Sequence, residues 1–142
     1  MIIRKIEQKD KASVLDMMRV FYNSPAVYTS GSDEIFESDI AECIKGEFLD
    51  GYVGEVDGKI IGYCMLAKSF STEFGKKCVW IEDIFILDEY RKRGYGEELF
   101  RFILSKYDNC IFRLEAEKEN ERAIKLYEKC GFSYLPYLEL KK

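Results

Sequence analysis

Arg91-Lys92-Arg93-Gly94-Tyr95-Gly96 lies between the apolar run Val79-Trp80-Ile81-Glu82-Asp83-Ile84-Phe85-Ile86-Leu87 and the helical pattern that opens Glu97-Glu98-Leu99-Phe100. A glycine-bearing turn between a strand and a helix makes an anion site. The first N–H groups of a helix have no intrahelical partner, and the helix dipole adds positive potential there. Gly94 and Gly96 let a phosphate come close to the backbone because no Cβ stands in the way. Arg91, Lys92 and Arg93 add three cations to a chain whose net charge is -4. The expected ligand is a diphosphate.

The pattern is neither of the two commonest phosphate motifs. A dinucleotide fold places G-x-G-x-x-G after its first strand, and a P-loop reads G-x-x-x-x-G-K-[ST]. This chain has R-x-x-G-x-G, placed late, behind several strand candidates. That arrangement resembles the acetyl-coenzyme A signature of the GNAT superfamily of N-acetyltransferases, Q/R-x-x-G-x-G/A. The strand Ile81-Glu82-Asp83-Ile84-Phe85-Ile86-Leu87-Asp88-Glu89-Tyr90-Arg91 adds to the likeness. So does Asn120-Glu121-Arg122-Ala123-Ile124-Lys125-Leu126-Tyr127-Glu128-Lys129-Cys130-Gly131-Phe132, which is similar to the family's N-x-x-A-x-x-x-Y-x-x-x-G-F.

Outward from the turn, periodicity predicts the remaining elements. Ile2, Ile3 and Ile6 open with a short strand. Asp10 is a candidate cap for a helix carrying Val14, Leu15, Met17, Met18, Phe21 and Tyr22, stopped by Asn23-Ser24-Pro25. A second helix runs from about Asp33 to Ile44. Strands Tyr52–Val56 and Ile60–Ser69 flank Asp57-Gly58, a two-residue hairpin signal. The helix after the glycine turn buries Leu99, Phe100, Ile103, Leu104 and Tyr107. Cys110–Ala116 reads as a strand, Asn120 caps a last helix that ends at Gly131, and Phe132–Leu140 supplies a final strand, whole or split. The order β-α-α-β-β-β-α-β-α-β(-β) predicts an α/β (α+β) fold, a mixed, twisted central sheet with helices on both faces. The resemblance implies the same GNAT-like sheet.

Composition excludes several classes. At 142 residues and 47% hydrophobic, the chain is expected to form one domain, residues 1–142, with a real core. No run approaches a membrane span, and Met1-Ile2-Ile3-Arg4-Lys5-Ile6 lacks the h-region expected of a secretory leader. Five scattered cysteines and no histidine predict reduced thiols in a cytoplasmic protein, with no metal site. The acidic balance, with pI about 5.1, speaks against nucleic acid as a partner.

The resemblance implies acetyl-coenzyme A as co-substrate, held where two parallel strands splay, here Ile84–Leu87 and Cys110–Ala116. Donor contacts are then expected at Ile84, Phe85, Ile86, Arg91, Lys92, Arg93, Gly94, Tyr95, Gly96, Asn120, Ala123 and Tyr127. Transfer of acetyl to an amine, by direct attack through a tetrahedral intermediate, needs a neutral nucleophile, a stabilised oxyanion and a stabilised leaving thiolate. The motif assigns Tyr127 to the thiolate; its alternative role is a core aromatic of an amphipathic helix. Glu82 is the candidate for the amine. Direct proton transfer from an ammonium (pKa about 10.4) to a glutamate (about 4.3) costs roughly 8 kcal/mol. Glu82 is therefore expected to orient the ammonium and pass its proton to water; a salt-bridged strand residue is the alternative. Asp83 is expected to make a structural hydrogen bond. An acyl-cysteine route through Cys78 or Cys130 lacks a histidine to activate the thiol.

Asp33, Glu34, Glu37, Asp39, Glu115 and Glu117 favour a cationic acceptor: a polyamine, a diamino acid, an aminoglycoside or a lysine side chain. Protein N-termini stay open as acceptors. A non-catalytic acyl-coenzyme A sensing module and an interaction subunit that pairs through a sheet edge are the rival classes, and the chain is expected to be a monomer or a homodimer.

Overall fold

The computed structural model describes residues 1–142. In chain order the elements are β1 (Ile2–Lys5), α1 (Lys11–Tyr22), α2 (Asp33–Lys45), β2 (Leu49–Val56), β3 (Lys59–Ser71), β4 (Lys76–Ile86), α3 (Tyr95–Lys106), β5 (Ile111–Leu114) and α4 (Glu121–Lys129). The strands form one mixed sheet in the order β1-β2-β3-β4-β5, antiparallel throughout except for the parallel pair β4 and β5. Asp57 and Gly58 both take positive φ, 50° and 75°, as a two-residue hairpin turn requires.

The sheet carries a core on each face. On one side Val14, Met17 and Met18 of α1 and Phe36 and Ile40 of α2 pack on Val53, Tyr63, Met65 and Phe85. On the other side Leu99, Phe100 and Ile103 of α3 pack on Tyr52, Cys64, Leu66, Val79, Ile81 and Ile86, with Tyr127 of α4 against them. Ser32 caps α2, accepting from the Ile35 amide, and Asn120 caps α4, accepting from the Ala123 amide. Helix α4 ends in a Schellman turn: Phe132 N–H donates to the Tyr127 carbonyl and Gly131 N–H to the Glu128 carbonyl, with Gly131 at φ 91°.

Three local expectations differ from the fold. Asp10 stands before α1 but does not cap it. Its carboxylate accepts from both Arg4 guanidinium nitrogens at 2.6 and 2.9 Å and from the Glu7 amide at 2.9 Å, tying β1 to the start of the helix. Strict alternation predicts Ile81 and Asp83 on one face of β4. A bulge intervenes: Met65 pairs with Asp83 and Leu66 with Ile81, so Glu82 has no partner on β3. Ile81 thus joins Ile84 and Ile86 on the α3 side, while Asp83 turns to the α1 side and meets Tyr22 and Tyr63. Finally, residues 132–140 form no strand. Pro136 has no N–H to give a ladder, and the apolar side chains around it do not alternate. The outer edge of β5 is left unpaired, and Tyr134, Tyr137, Leu138 and Leu140 are exposed.

Candidate functional site

The parallel ladder between β4 and β5 stops at the pair Ile81–Leu114, yet β4 continues to Ile86. From Glu82 to Ile86 the β5-facing edge of β4 has no strand partner. Its orientation follows from one bond: Leu87 N–H donates to the Ile61 carbonyl of β3 at 2.9 Å. Successive residues of a strand aim their amides at opposite edges, so Ile84 and Ile86 direct N–H and C=O into the gap. Buried backbone groups demand partners. Arg91 meets one of these, donating Nε–H to the Ile86 carbonyl at 2.9 Å.

A cleft of about 630 Å³ occupies the gap. Its floor is Ile81, Ile84 and Ile86; its far wall is Leu114, Ala116, Ala123, Leu126 and Tyr127; its mouth is the loop of Arg91, Lys92, Gly94 and Gly96. In that loop Lys92 and Gly94 take φ 62° and 86°, folding the chain so that α3 begins pointing into the cleft. No side chain caps α3. Gly94 needs glycine for its backbone angle. Gly96 does not: its φ is ordinary, and a Cβ there would meet only Ile86 Cγ1, at 3.9 Å. What the missing side chain keeps open is the approach to the first amides of α3.

Most of the residues singled out from sequence converge here. Glu82, Ile84, Phe85, Ile86, Arg91, Lys92, Gly94, Gly96, Asn120, Ala123 and Tyr127 all border the cleft. Arg93 and Tyr95 do not; both turn to Tyr90, with centroid separations of 5.6 and 6.4 Å. Arg91 is committed largely to the loop, pairing with Asp88 at 2.6 Å and stacking on Phe85 at 5.2 Å. Neither Cys78 nor Cys130 borders the cleft. Ser24 and Pro25, expected from sequence only to stop a helix, also border the cleft, as do Ala26 and Arg122, for which no role was expected. Arg122 carried a signal: a cation in the first turn of a helix opposes the dipole, so its presence there calls for another reason.

The ring of Tyr127 is packed against Phe100 at 5.2 Å; no sealed-in side-chain oxygen lacks a partner, so the hydroxyl, which bonds to no protein group, opens onto the cleft. Burial raises the phenol above its ordinary range, so it stays protonated and free to donate. Across the cleft Glu82 is open to solvent on one side, but its carboxyl lies in a concave wall. Burial raises it first, then the charges of Asp83, Glu139 and Asp39. Asp83 is buried and raised to about 6, chiefly by desolvation, although two phenols hold it back. Asp39 of α2 is raised by burial. Two other acidic residues of that helix region are spent elsewhere: Asp33 pairs with Arg19 at 2.7 Å and Glu37 with Lys11 at 3.1 Å. Glu115 also borders the cleft; Glu117 does not.

Known proteins share this fold and parts of this sequence. Residues 14–132 match the model of the acetyltransferase (GNAT) family. A thialysine N-epsilon-acetyltransferase from Sus scrofa is 27% identical over 92% of this chain and 82% of its own. Among solved structures, a possible acetyltransferase from Clostridium difficile 630 superposes with a TM-score of 0.84 at 20% identity, covering 99% of this chain and 95% of that one. The aminoglycoside N-acetyltransferase AAC(6')-Iy in complex with CoA gives a TM-score of 0.77 at 18% identity, covering 99% and 93%. At those identities the superpositions speak to the fold alone. No helix is long and apolar enough to cross a membrane.

Proposed function

The chain belongs to the GNAT acetyltransferase family and is an acetyl-transferring enzyme, and on that premise we propose that it moves acetyl from acetyl-coenzyme A to the primary amine of a small cationic acceptor. The observation that carries the donor half is the unpartnered edge of β4 leading to the uncapped start of α3. Ile84 and Ile86 offer amide partners to a pantetheine arm, and the amides from Lys92 to Gly96 suit its diphosphate. Phe85, Arg91, Asn120 and Ala123 complete the contacts, and Arg122 adds a cation on the same rim.

For the acceptor half, Glu82, Asp83 and Asp39 raise one another or are raised by burial, and no lysine or arginine is among the causes acting on any of them. A cationic amine complements that field. A polyamine, a diamino acid or an aminoglycoside has this chemistry, and relatives act on thialysine. Glu82 orients the ammonium and passes one proton to water. The neutral nitrogen then attacks the thioester carbonyl, the N–C bond forms and the C–S bond breaks. Tyr127 donates a hydrogen bond to the departing sulfur. A phenol raised above about 10 does not give its proton outright to a thiolate of pKa about 8.5. The proton that completes the thiol comes from the nitrogen as it becomes an amide.

The test is thiol release from acetyl-coenzyme A across a panel of polyamines, diamino acids, aminoglycosides and peptide amines. Turnover confined to small cationic amines is the expected result. Tight coenzyme A binding with no turnover on any amine replaces this reading with the sensing module, and turnover on peptide amines alone replaces it with a protein acetyltransferase.

A further inference from the structure

Asp83 does not border the cleft, and both of its carboxylate oxygens are taken. Oδ1 accepts from the Tyr22 hydroxyl and Oδ2 from the Tyr63 hydroxyl, each at 3.0 Å. The two phenols differ in what they hold. Tyr63 sits in the middle of β3, paired with Val53 on one side and Phe85 on the other, so the sheet fixes it without help. Tyr22 is the last residue of α1, where the helix ladder has ended. Beyond it the chain folds back on the helix end: Ser24 donates both its amide and its hydroxyl to the Phe21 carbonyl, at 3.0 and 2.6 Å, and Ala26 N–H reaches Ser24 Oγ at 3.3 Å. Phe21, Ser24, Pro25 and Ala26 form the cleft wall on the α1 side, across from Glu82 and Ile84. That wall is fastened to the end of α1.

We propose that Asp83 is a positioning residue for the acceptor: through the Tyr22 hydroxyl it pins the end of α1, and so sets how far the wall of Phe21 and residues 24–26 stands from Glu82. A carboxylate suits this task because a hydrogen bond to a charged acceptor is about twice as strong as one between neutral groups. The alternation of side chains along β4 lets adjacent residues serve opposite surfaces, Glu82 in the cleft and Asp83 behind the wall. The inference rests on reading the cleft as the acetyl-transfer site.

Its test compares Tyr22→Phe with Tyr63→Phe. Each removes one phenol oxygen from the same carboxylate and keeps the ring contacts. Steady-state kinetics give KM for the best amine of the panel and for acetyl-coenzyme A, and backbone hydrogen exchange follows residues 23–30. Tyr22→Phe is expected to raise the amine KM about tenfold, to leave the donor KM in place, and to speed exchange in residues 23–30. Tyr63→Phe is expected to change none of these. Equal effects in the two variants, or unchanged amine KM and exchange in Tyr22→Phe, overturn the proposal. A wild-type protein that acetylates no amine sinks the functional reading instead, and the exchange comparison still decides whether the tether exists.

Discussion

A Cβ built on Gly96 would stand 3.9 Å from Ile86 Cγ1 and meet nothing else, whereas Gly94, two residues before it, holds φ at 86°. The two glycines of the turn therefore answer to different demands. Gly94 serves the backbone. Gly96 serves whatever approaches the helix start. Gly96→Ala is expected to fold with thermal stability equal to the wild type or higher, since alanine in a helix gains roughly 0.5–1 kcal/mol over glycine. Its affinity for coenzyme A is expected to fall about tenfold. Gly94→Ala is expected to lose about 1 kcal/mol of stability from the left-handed strain. Thermal melts with and without coenzyme A, alongside calorimetric titration, separate the two. An unaltered coenzyme A affinity in Gly96→Ala contradicts the donor site.

The buried carboxylate of Asp83 gives a pH signature. Its folded-state value, about 6, lies above the ordinary 3.8, so between those values the folded state binds more protons than the unfolded one. Stability from this group is fully present below about pH 4 and is lost as pH rises through 6. The loss amounts to about 3 kcal/mol at neutral pH. Asp83→Asn carries no titrating group. The difference in melting temperature between Asp83→Asn and wild type should grow in the variant's favour from pH 4 to pH 7. A flat difference means that the carboxylate keeps its ordinary pKa in the fold.

Much of this was legible in the sequence, for identifiable reasons. The Asp57-Gly58 hairpin, the Asn120 cap and the Gly131 stop are local chemistry, and local chemistry survives in any context. The late R-x-x-G-x-G turn is local as well, which is why Gly94 and Gly96 could be placed from sequence in a turn between a strand and a helix. The faces of β4 were not readable across Glu82, because a bulge is fixed by the register of the neighbouring strand, and that register depends on Met65 and Leu66 of β3. The wall of Ser24 to Ala26 was missed because a proline after a helix reads as punctuation. Its place opposite Glu82 arises only from the packing of α1 on the sheet. The tail beyond Phe132 looked strand-like from its apolar content, and Pro136 was the warning against it.

Tyr127 divides its ring from its hydroxyl, one packed on Phe100 and the other open to the cleft. Tyr127→Phe keeps the packing and removes only the donor. Thermal stability and coenzyme A affinity are expected to stay near wild type, while kcat falls about 10- to 100-fold, the cost of one lost hydrogen bond to developing charge. Because burial raises this phenol, no alkaline loss of kcat from Tyr127 is expected below about pH 10. Pre-steady-state thiol release separates the chemical step from product release. A variant with unchanged kcat in the chemical step removes Tyr127 from the mechanism.

Asp39 acts on Glu82 through its field and not by contact. The carboxyl of Glu82 is raised first by burial and then by the charges of Asp83, Glu139 and Asp39. If Glu82 must be ionised to orient the ammonium, kcat/KM for the amine declines on the acid side as Glu82 protonates, at a pH above the ordinary glutamate value. Asp39→Asn removes one of the neighbouring negative charges without touching Glu82. With less repulsion the ionised form is favoured, the pKa of Glu82 moves down, and the acid limb is expected to shift to lower pH. Glu82→Gln is expected to abolish that limb and to raise the amine KM. The profile is measured at saturating acetyl-coenzyme A, so that donor binding does not contribute. An acid limb that stays in place in Asp39→Asn but vanishes in Glu82→Gln leaves Glu82 as the titrating group and removes Asp39 from its surroundings. A limb that survives in Glu82→Gln assigns it to another residue altogether.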